Sequence, residues 1–322
     1  MRRFIKKTYL TASTKLLTVH INLKIYMNNY IYYIDSAAIK LGNLAHELGD
    51  FKIAAEQYHK ALSRLRAYKG DSMTPASVAA SLSEKLQQMS RYQHAGNRIL
   101  ELETWRLTKS SFVKGHQCLK YLYLDKHQKK EKTPPSVETR ALFEQGHSFE
   151  TTIRRKHFPG GIDVKETAGN FGYFNSLTKH LLRREGRSVL YEATLIEDDV
   201  LVMCDILIKN EDGRIDIYEI KLNHEVNEAI TADLAIQYTI AQKRFADRLH
   251  SFNLILRDPN SPDEFKIVDM TESLRNRVDD VNKKIKQFNE ILSAPEPHIP
   301  MGPHCTKPYP CEFMAYCNRC NV

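Results

Sequence analysis

Six cysteines in 322 residues are too few to scaffold a fold with disulfides. No secretory signal is visible either, so free thiols in a reducing, cytoplasmic setting are the expectation. A clean membrane span is also missing. The apolar-rich run LLTVHINLKIYMNNYIYYI is broken by His20, Asn22, Lys24 and the Asn28-Asn29 pair, each costly in hydrocarbon. No membrane partner is therefore expected. Residues 1–34 hold no Asp or Glu at all. That start shares its acid-free, Lys/Arg- and Thr-bearing character with transit peptides, but a basic, disordered extension, or initiation at Met27, is the reading adopted. An apolar content of 42% with 27% charged residues excludes a collagen, a disordered tail and a membrane bundle.

What is present is uneven. Residues 1–110 carry 17 Lys and Arg against 8 Asp and Glu, while the remainder holds 30 basic and 31 acidic residues. The basic surplus suits an anionic partner such as nucleic acid. From residue 35 to about 105 the pattern is helical. AAIKLGNLAHELGDFKIAAEQYHKAL places apolar or small residues at helical spacing on both sides of a Gly49-Asp50 break. Small residues that let paired helices approach closely resemble a tetratricopeptide repeat. A weaker copy follows 41 residues later, with Leu41 matching Leu82, Gly49 Ser90, Phe51 Tyr92 and Ala54 Ala95. Such stacked pairs bind partners and do no chemistry, so an unknown protein partner is expected for this all-α region.

After Trp105 the composition changes, and residues 106–322 read as one α/β domain. KKEKTPP is a charged, proline-stopped loop. Helices are expected at about 137–156, 174–184, 227–249 and 272–292, and strands at SVLYEATLI, VLVMCDILI, RIDIYEIKL, SFNLILR and FKIVDM. This order implies a mixed central sheet flanked by helices.

The sharpest local signal is CDILIKNEDGRIDIYEIKL. A three-residue hairpin loop Glu211-Asp212-Gly213 makes Asn210 face Arg214, which sets Asp205 opposite Glu219 and puts Lys221 on the same sheet face. Two carboxylates and an amine in mid-strand are expensive unless they do something. Asp205 and Glu219, with the Ile220 carbonyl beside them, suit Mg²⁺ or Mn²⁺. Lys221 would orient a water or stabilise charge developing on phosphorus. The bland alternative is a surface hairpin with an ordinary Glu/Lys pair.

The last eighteen positions contain Cys305, Cys311, Cys317 and Cys320, while Cys118 stands upstream in SSFVKGHQCLKYLYL. Clustered thiols in a reducing compartment read as a metal site, and four of them suit either zinc or a [4Fe–4S] cluster. Cys204, beside Asp205, reads as a small apolar residue.

Asp-x13-Glu-x-Lys on adjacent strands resembles the active site of the PD-(D/E)XK nuclease superfamily. One early cysteine plus three at the end resembles its RecB-like iron–sulfur members, including CRISPR-associated exonucleases and bacterial RecB-like proteins. Ser-Ser-Phe-Val-Lys-Gly before Cys118 and Pro-His-Cys…Pro-Tyr-Pro-Cys-Glu-Phe…Cys at the end carry this likeness, which covers about residues 108–320. The resemblance implies a restriction-endonuclease-like core and hydrolysis of DNA with Mg²⁺ or Mn²⁺, leaving 5′-phosphates. It further implies DNA that is single-stranded or has free ends. A structural [4Fe–4S] cluster on Cys118, Cys305, Cys311 and Cys317 in the tail (295–322) is also implied, with Cys320 spare. RecB-type enzymes carry a Gln on the helix after the strands, matched here by Gln237, which would touch a phosphate or base edge or simply face solvent. They also carry Gly-x-x-x-His on the helix before the sheet. Here Gly146 is followed at the matching position by Glu150, the first choice for a further metal ligand, with His147 second. The contrasting expectation is an adaptor whose repeats recruit a partner and whose second domain binds nucleic acid without cutting it.

Overall fold

The computed structural model describes residues 30–90, 92, 96 and 98–320. The expected basic extension lies almost wholly outside them. The chain divides into two compact units, residues up to Glu101 with Thr167–Phe171, and Leu102–Glu166 with Gly172–Val322.

The first unit is helical. Helices α1 (Ser36–Glu47), α2 (Phe51–Arg66) and α3 (Met73–Met89) follow one another, capped by the side chains of Asp35, Asp50 and Ser72. Gly42 lets α1 and α2 approach closely, because a Cβ there would stand 2.6 Å from the Tyr58 ring. The Tyr58 hydroxyl and the Lys85 amine both donate to Asn43 Oδ1, at 2.7 and 2.6 Å, which ties the three helices together. Asp50 is 1% exposed and does double duty. Its Oδ1 caps Ile53 N, and its Oδ2 accepts from Ile99 N and Leu100 N at 3.0 and 3.2 Å. The second repeat copy would need another helix after Ser90. Among the described residues there, Tyr92 is a turn and Gly96 a bend, and Ala95 lies outside them.

The second unit is α/β. It contains β1 (Leu107–Thr108), α4 (Lys109–Gln117), α5 (Leu119–His127), α6 (Val137–His157), β2 (Ile162–Asp163) and the short α7 (Val164–Ala168), whose last residues fall in the first unit. Then follow α8 (Phe174–Leu182), β3 (Ser188–Glu197), β4 (Val200–Lys209), β5 (Ile215–Lys221), α9 (Glu228–Phe245), β6 (Leu249–Arg257), β7 (Phe265–Asp269), α10 (Thr271–Arg275), α11 (Val278–Ser293) and α12 (Met314–Cys320). The one long helix expected at 272–292 is two, α10 and α11, interrupted at Asn276–Arg277. Arg277 there turns its guanidinium to Glu228 on α9 at 2.7 Å.

The seven strands form one mixed sheet in the order β2-β3-β4-β5-β6-β7, with β1 also pairing β4. β3, β4 and β5 form an antiparallel meander, and β5 and β6 are parallel across the α9 crossover. Ile206, Ile208, Ile220 and Ile255 pack with Ile153 of α6 in one core cluster. The alternating residues Leu207, Ile217 and Leu254 are fully buried as well, so both faces of the sheet are covered. α9 is apolar almost all round, as a helix enclosed by its neighbours must be. Among the described residues no helix is long and apolar enough to cross a membrane.

Candidate functional site

The site sits at a fork in the sheet. β3 takes one whole edge of β4, so β1 and β5 share the other edge. β1 pairs only Val200 and Leu201, and β5 pairs β4 only from Ile206↔Tyr218 onward. Between them the edge of β4 is open, and Asp205 lies at the crotch. The turn is the three-residue one, with Asn210 N bonded to Arg214 O at 2.8 Å and Gly213 at φ 82°. The register Ile206↔Tyr218 carries on to set Asp205 level with Glu219. Past the end of the ladder Asp205 Oδ2 takes up the freed Ile220 N–H at 2.7 Å.

Three cationic groups answer the carboxylates. Glu219, 1% exposed, receives Lys109 Nζ at 2.7 Å and Lys221 Nζ at 2.8 Å, both on Oε1. Its other oxygen, Oε2, is buried without a hydrogen-bond partner among the described residues. Asp233 of α9 holds Lys221 at 2.6 Å and Lys109 at 3.9 Å. From α6, Arg154 pairs with Glu150 and, at 3.0 Å, with Glu192. Glu192 sits in the pairing gap between Tyr191↔Ile206 and Ala193↔Cys204, level with Asp205, and its backbone turns to φ 52°, rare for a residue with a Cβ.

These charges set one another's protonation. Burial and the neighbouring Glu219 push the Asp205 carboxyl well above the ordinary carboxylate range. Burial would push Glu219 the same way, but Lys109 and Lys221 overcome it and hold Glu219 down at about 2. Burial works against the charge of Lys221, yet Glu219 and Asp233 outweigh it and raise the amine well above its usual value. Burial raises Glu150 too, with Glu192 and Glu219 adding to it against the pull of Arg154.

Asp205, Glu219 and Lys221 thus come together as one cluster, and Glu150 stands within electrostatic reach of it. His147 is exposed on the preceding turn of α6. The Ile220 N–H is engaged by Asp205, while its side chain belongs to the core. Gln237 does not face solvent. It is fully buried one turn after Asp233, with both amide ends lacking a partner. Lys109, Asp233, Arg154 and Glu192 are additions that sequence reasoning missed. The i,i+4 spacing of Asp233 and Gln237 was a readable signal. So was the capping box Thr108–Ser111, which makes Lys109 the first residue of a helix. Nothing in the sequence marks the turned backbone of Glu192.

The second constellation joins distant parts of the unit. Cys118 at the α4/α5 junction, Cys305, Cys311 and Cys317 line one cavity with Tyr121, Leu124, Ile299 and Met301. Gln117 donates to the carbonyls of His304 and Tyr309, both at 2.7 Å, and Glu312 accepts from Tyr121 at 2.8 Å. Cys320 is exposed and outside that lining, and Cys204 is buried in β4. Burial and the other three thiols push Cys311 up to about 11. Four converging thiols in an apolar wall have the donor chemistry of an iron–sulfur or zinc site. As the side chains stand, no group of three or more His, Cys, Asp or Glu among the described residues is drawn into a metal-holding arrangement.

Fold and site together define an α/β protein with a buried, lysine-bridged acidic cluster at a sheet fork. Comparison with known proteins finds no matching family model and no matching curated protein.

Proposed function

We propose that the second unit is a metal-dependent DNA nuclease of the RecB-like PD-(D/E)XK type, with a restriction-endonuclease-like core. The observation that carries this reading is the buried, unpartnered Glu219 Oε2 beside Asp205 and Lys221. A buried carboxylate oxygen with no donor costs free energy unless a cation completes it. A hard divalent ion fits that oxygen and Asp205, with Glu150 and the Ile220 carbonyl as further donors.

Mg²⁺ or Mn²⁺ held there supplies Lewis-acid activation of a phosphate and a lower pKa for water. Asp205 and Glu219 would hold that ion beside the reacting phosphodiester. Lys221, its amine raised above its usual value by Glu219 and Asp233, would present positive charge to the phosphorus as negative charge builds on its oxygens. Gln237, buried behind Asp233, would reach a strand only when the site opens. Cys118, Cys305, Cys311 and Cys317 would hold a structural [4Fe–4S] cluster, with zinc as the alternative tenant. The helical first unit would recruit a protein partner.

The test is one anaerobic preparation assayed for metal content and for cleavage of single-stranded DNA with Mn²⁺. Cleavage that disappears in Asp205→Ala and Lys221→Ala supports the nuclease. Tight DNA binding with no cleavage under any divalent metal replaces it with the adaptor reading.

A further inference from the structure

Lys109 is one of the residues of the cluster that neither the hairpin motif nor the cysteine pattern accounts for. It lies 110 positions from Glu219 in the chain, yet its amine sits 2.7 Å from that carboxylate. Glu219 carries two amines on a single oxygen and none on the other. Five carboxyl groups (Asp205, Glu219, Asp233, Glu150 and Glu192) gather around three cations (Lys109, Lys221 and Arg154).

The two lysines are not held alike. Lys221 has short contacts to both Glu219 and Asp233, at 2.8 and 2.6 Å. Lys109 has one short contact, to Glu219, and stands 3.9 Å from Asp233. A divalent ion arriving at Asp205 and Glu219 draws on the charge that holds both amines and repels them. Lys221 keeps Asp233. Lys109 loses its short contact, and its side chain, 24% exposed at the first residue of α4, is long enough to turn outward.

We propose that Lys109 is a resident cation of the acidic site, holding Glu219 until a divalent ion binds and then pairing with a phosphate of the nucleic acid. This rests on the nuclease reading and deepens it: the apo site is kept closed by an amine, and metal loading hands that amine to the substrate backbone. The exchange also balances charge, since an incoming phosphate brings the negative charge the freed ammonium answers.

The experiment compares the full chain with Lys109→Met and Lys109→Arg in two binding measurements. One is Mn²⁺ titration without DNA, and the other is binding of a labelled single-stranded oligonucleotide with Ca²⁺ present. Removing a competing cation makes Lys109→Met bind Mn²⁺ roughly tenfold more tightly. The same variant loses a phosphate contact and binds the oligonucleotide roughly tenfold more weakly. Lys109→Arg restores oligonucleotide binding. A purely structural lysine, or a variant that folds poorly, would weaken both measurements together, and that result overturns the proposal. If the unaltered protein binds Mn²⁺ and cuts DNA while Lys109→Met matches it in both titrations, the proposal falls and the nuclease reading stands. If the unaltered protein binds no Mn²⁺, both fall.

Discussion

Asp205 and Glu219 sit on neighbouring strands, yet their environments drive them in opposite directions. Asp205 carries no ammonium partner at hydrogen-bonding distance, and burial beside Glu219 raises its pKa. A carboxyl raised on folding binds more protons folded than unfolded, so it costs stability as pH climbs past about 4. Asp205→Asn removes that cost while its amide oxygen can still accept the Ile220 N–H. The variant is expected to unfold at higher denaturant concentration than the metal-free protein at pH 7, by about 1–2 kcal/mol, while losing the proposed nuclease activity. A lower midpoint would contradict this account of the site. Glu219 behaves in reverse. Its pKa, depressed to about 2, gives stability that is complete above about pH 4.5 and drains away as pH falls toward 2. Glu219→Gln takes the short charge contact from Lys109 and leaves Lys221 only Asp233, and should cost about 3 kcal/mol at pH 7, with a flatter acid limb in urea melts taken from pH 5 to 2. The residues of this pair were legible because a hairpin loop length fixes which side chains meet. Lys109 was not, since nothing local relates a helix-start lysine to a carboxylate 110 positions away.

The elements owe their positions to how closely neighbouring surfaces can approach. α4 brings Lys109 to the fork and ends at Cys118, so its seat against α11 affects both constellations. A Cβ at Gly115 would lie 2.7 to 3.0 Å from the Phe288 ring, and that ring is 2% exposed. Gly115→Ala must displace Phe288, and should lower stability by roughly 1–3 kcal/mol in chemical denaturation even though Ala is the better helix former. Beside it, His116 packs 5.2 Å from Phe112 and lies 2.9 Å from Lys284, with Asp280, Glu228 and Arg277 around it. Burial and Lys284 lower its pKa. The unfolded chain therefore binds the extra proton first, and stability falls as pH drops below about 6.5. Protection factors of the amides in α4 and α11 (exchange corrected for its intrinsic pH dependence) should fall between pH 7 and 5, and His116→Gln should remove that loss. The five longer strands were read almost to the residue, because runs such as VLVMCDILI are β-branched and apolar on both faces, as a covered sheet demands, whereas the two-residue β1 and β2 were not expected. The break between α10 and α11 was hidden, because Asn276 and Arg277 carry no Gly or Pro and the turn is held by a tertiary pair with Glu228.

At the scale of the molecule, the second unit has a sheet core and a separate clasp. The last strand ends at Asp269, and the chain beyond α11 returns to α4 and α5 through polar ties rather than through the sheet. Lys114 and Lys132 reach Glu312 at 3.4 and 3.1 Å, Thr133 N reaches Glu312 O at 2.8 Å, and Lys120 reaches Glu296 at 3.0 Å. Part-exposed ion pairs contribute little each, and salt screens them. Phe313, fully buried against Tyr121 and Leu124, adds the apolar anchor. The thiols are poor partners for one another as thiolates, since burial and mutual repulsion raise Cys311 and burial raises Cys317. A metal centre of the kind proposed would reverse that balance, because it would hold the four as thiolates and close a loop running from Cys118 to the tail. Closing so long a loop is worth on the order of 5 kcal/mol in chain entropy. Oxidative destruction or chelation of the centre, or Cys311→Ser, should therefore free residues 295–320 before the sheet melts. Limited proteolysis reads this directly: early cuts after α11, strands β3 to β6 still protected, and the site at the fork still able to bind Mn²⁺. Global unfolding on metal loss, with no protected core fragment, would mean instead that the sheet cannot stand without its clasp.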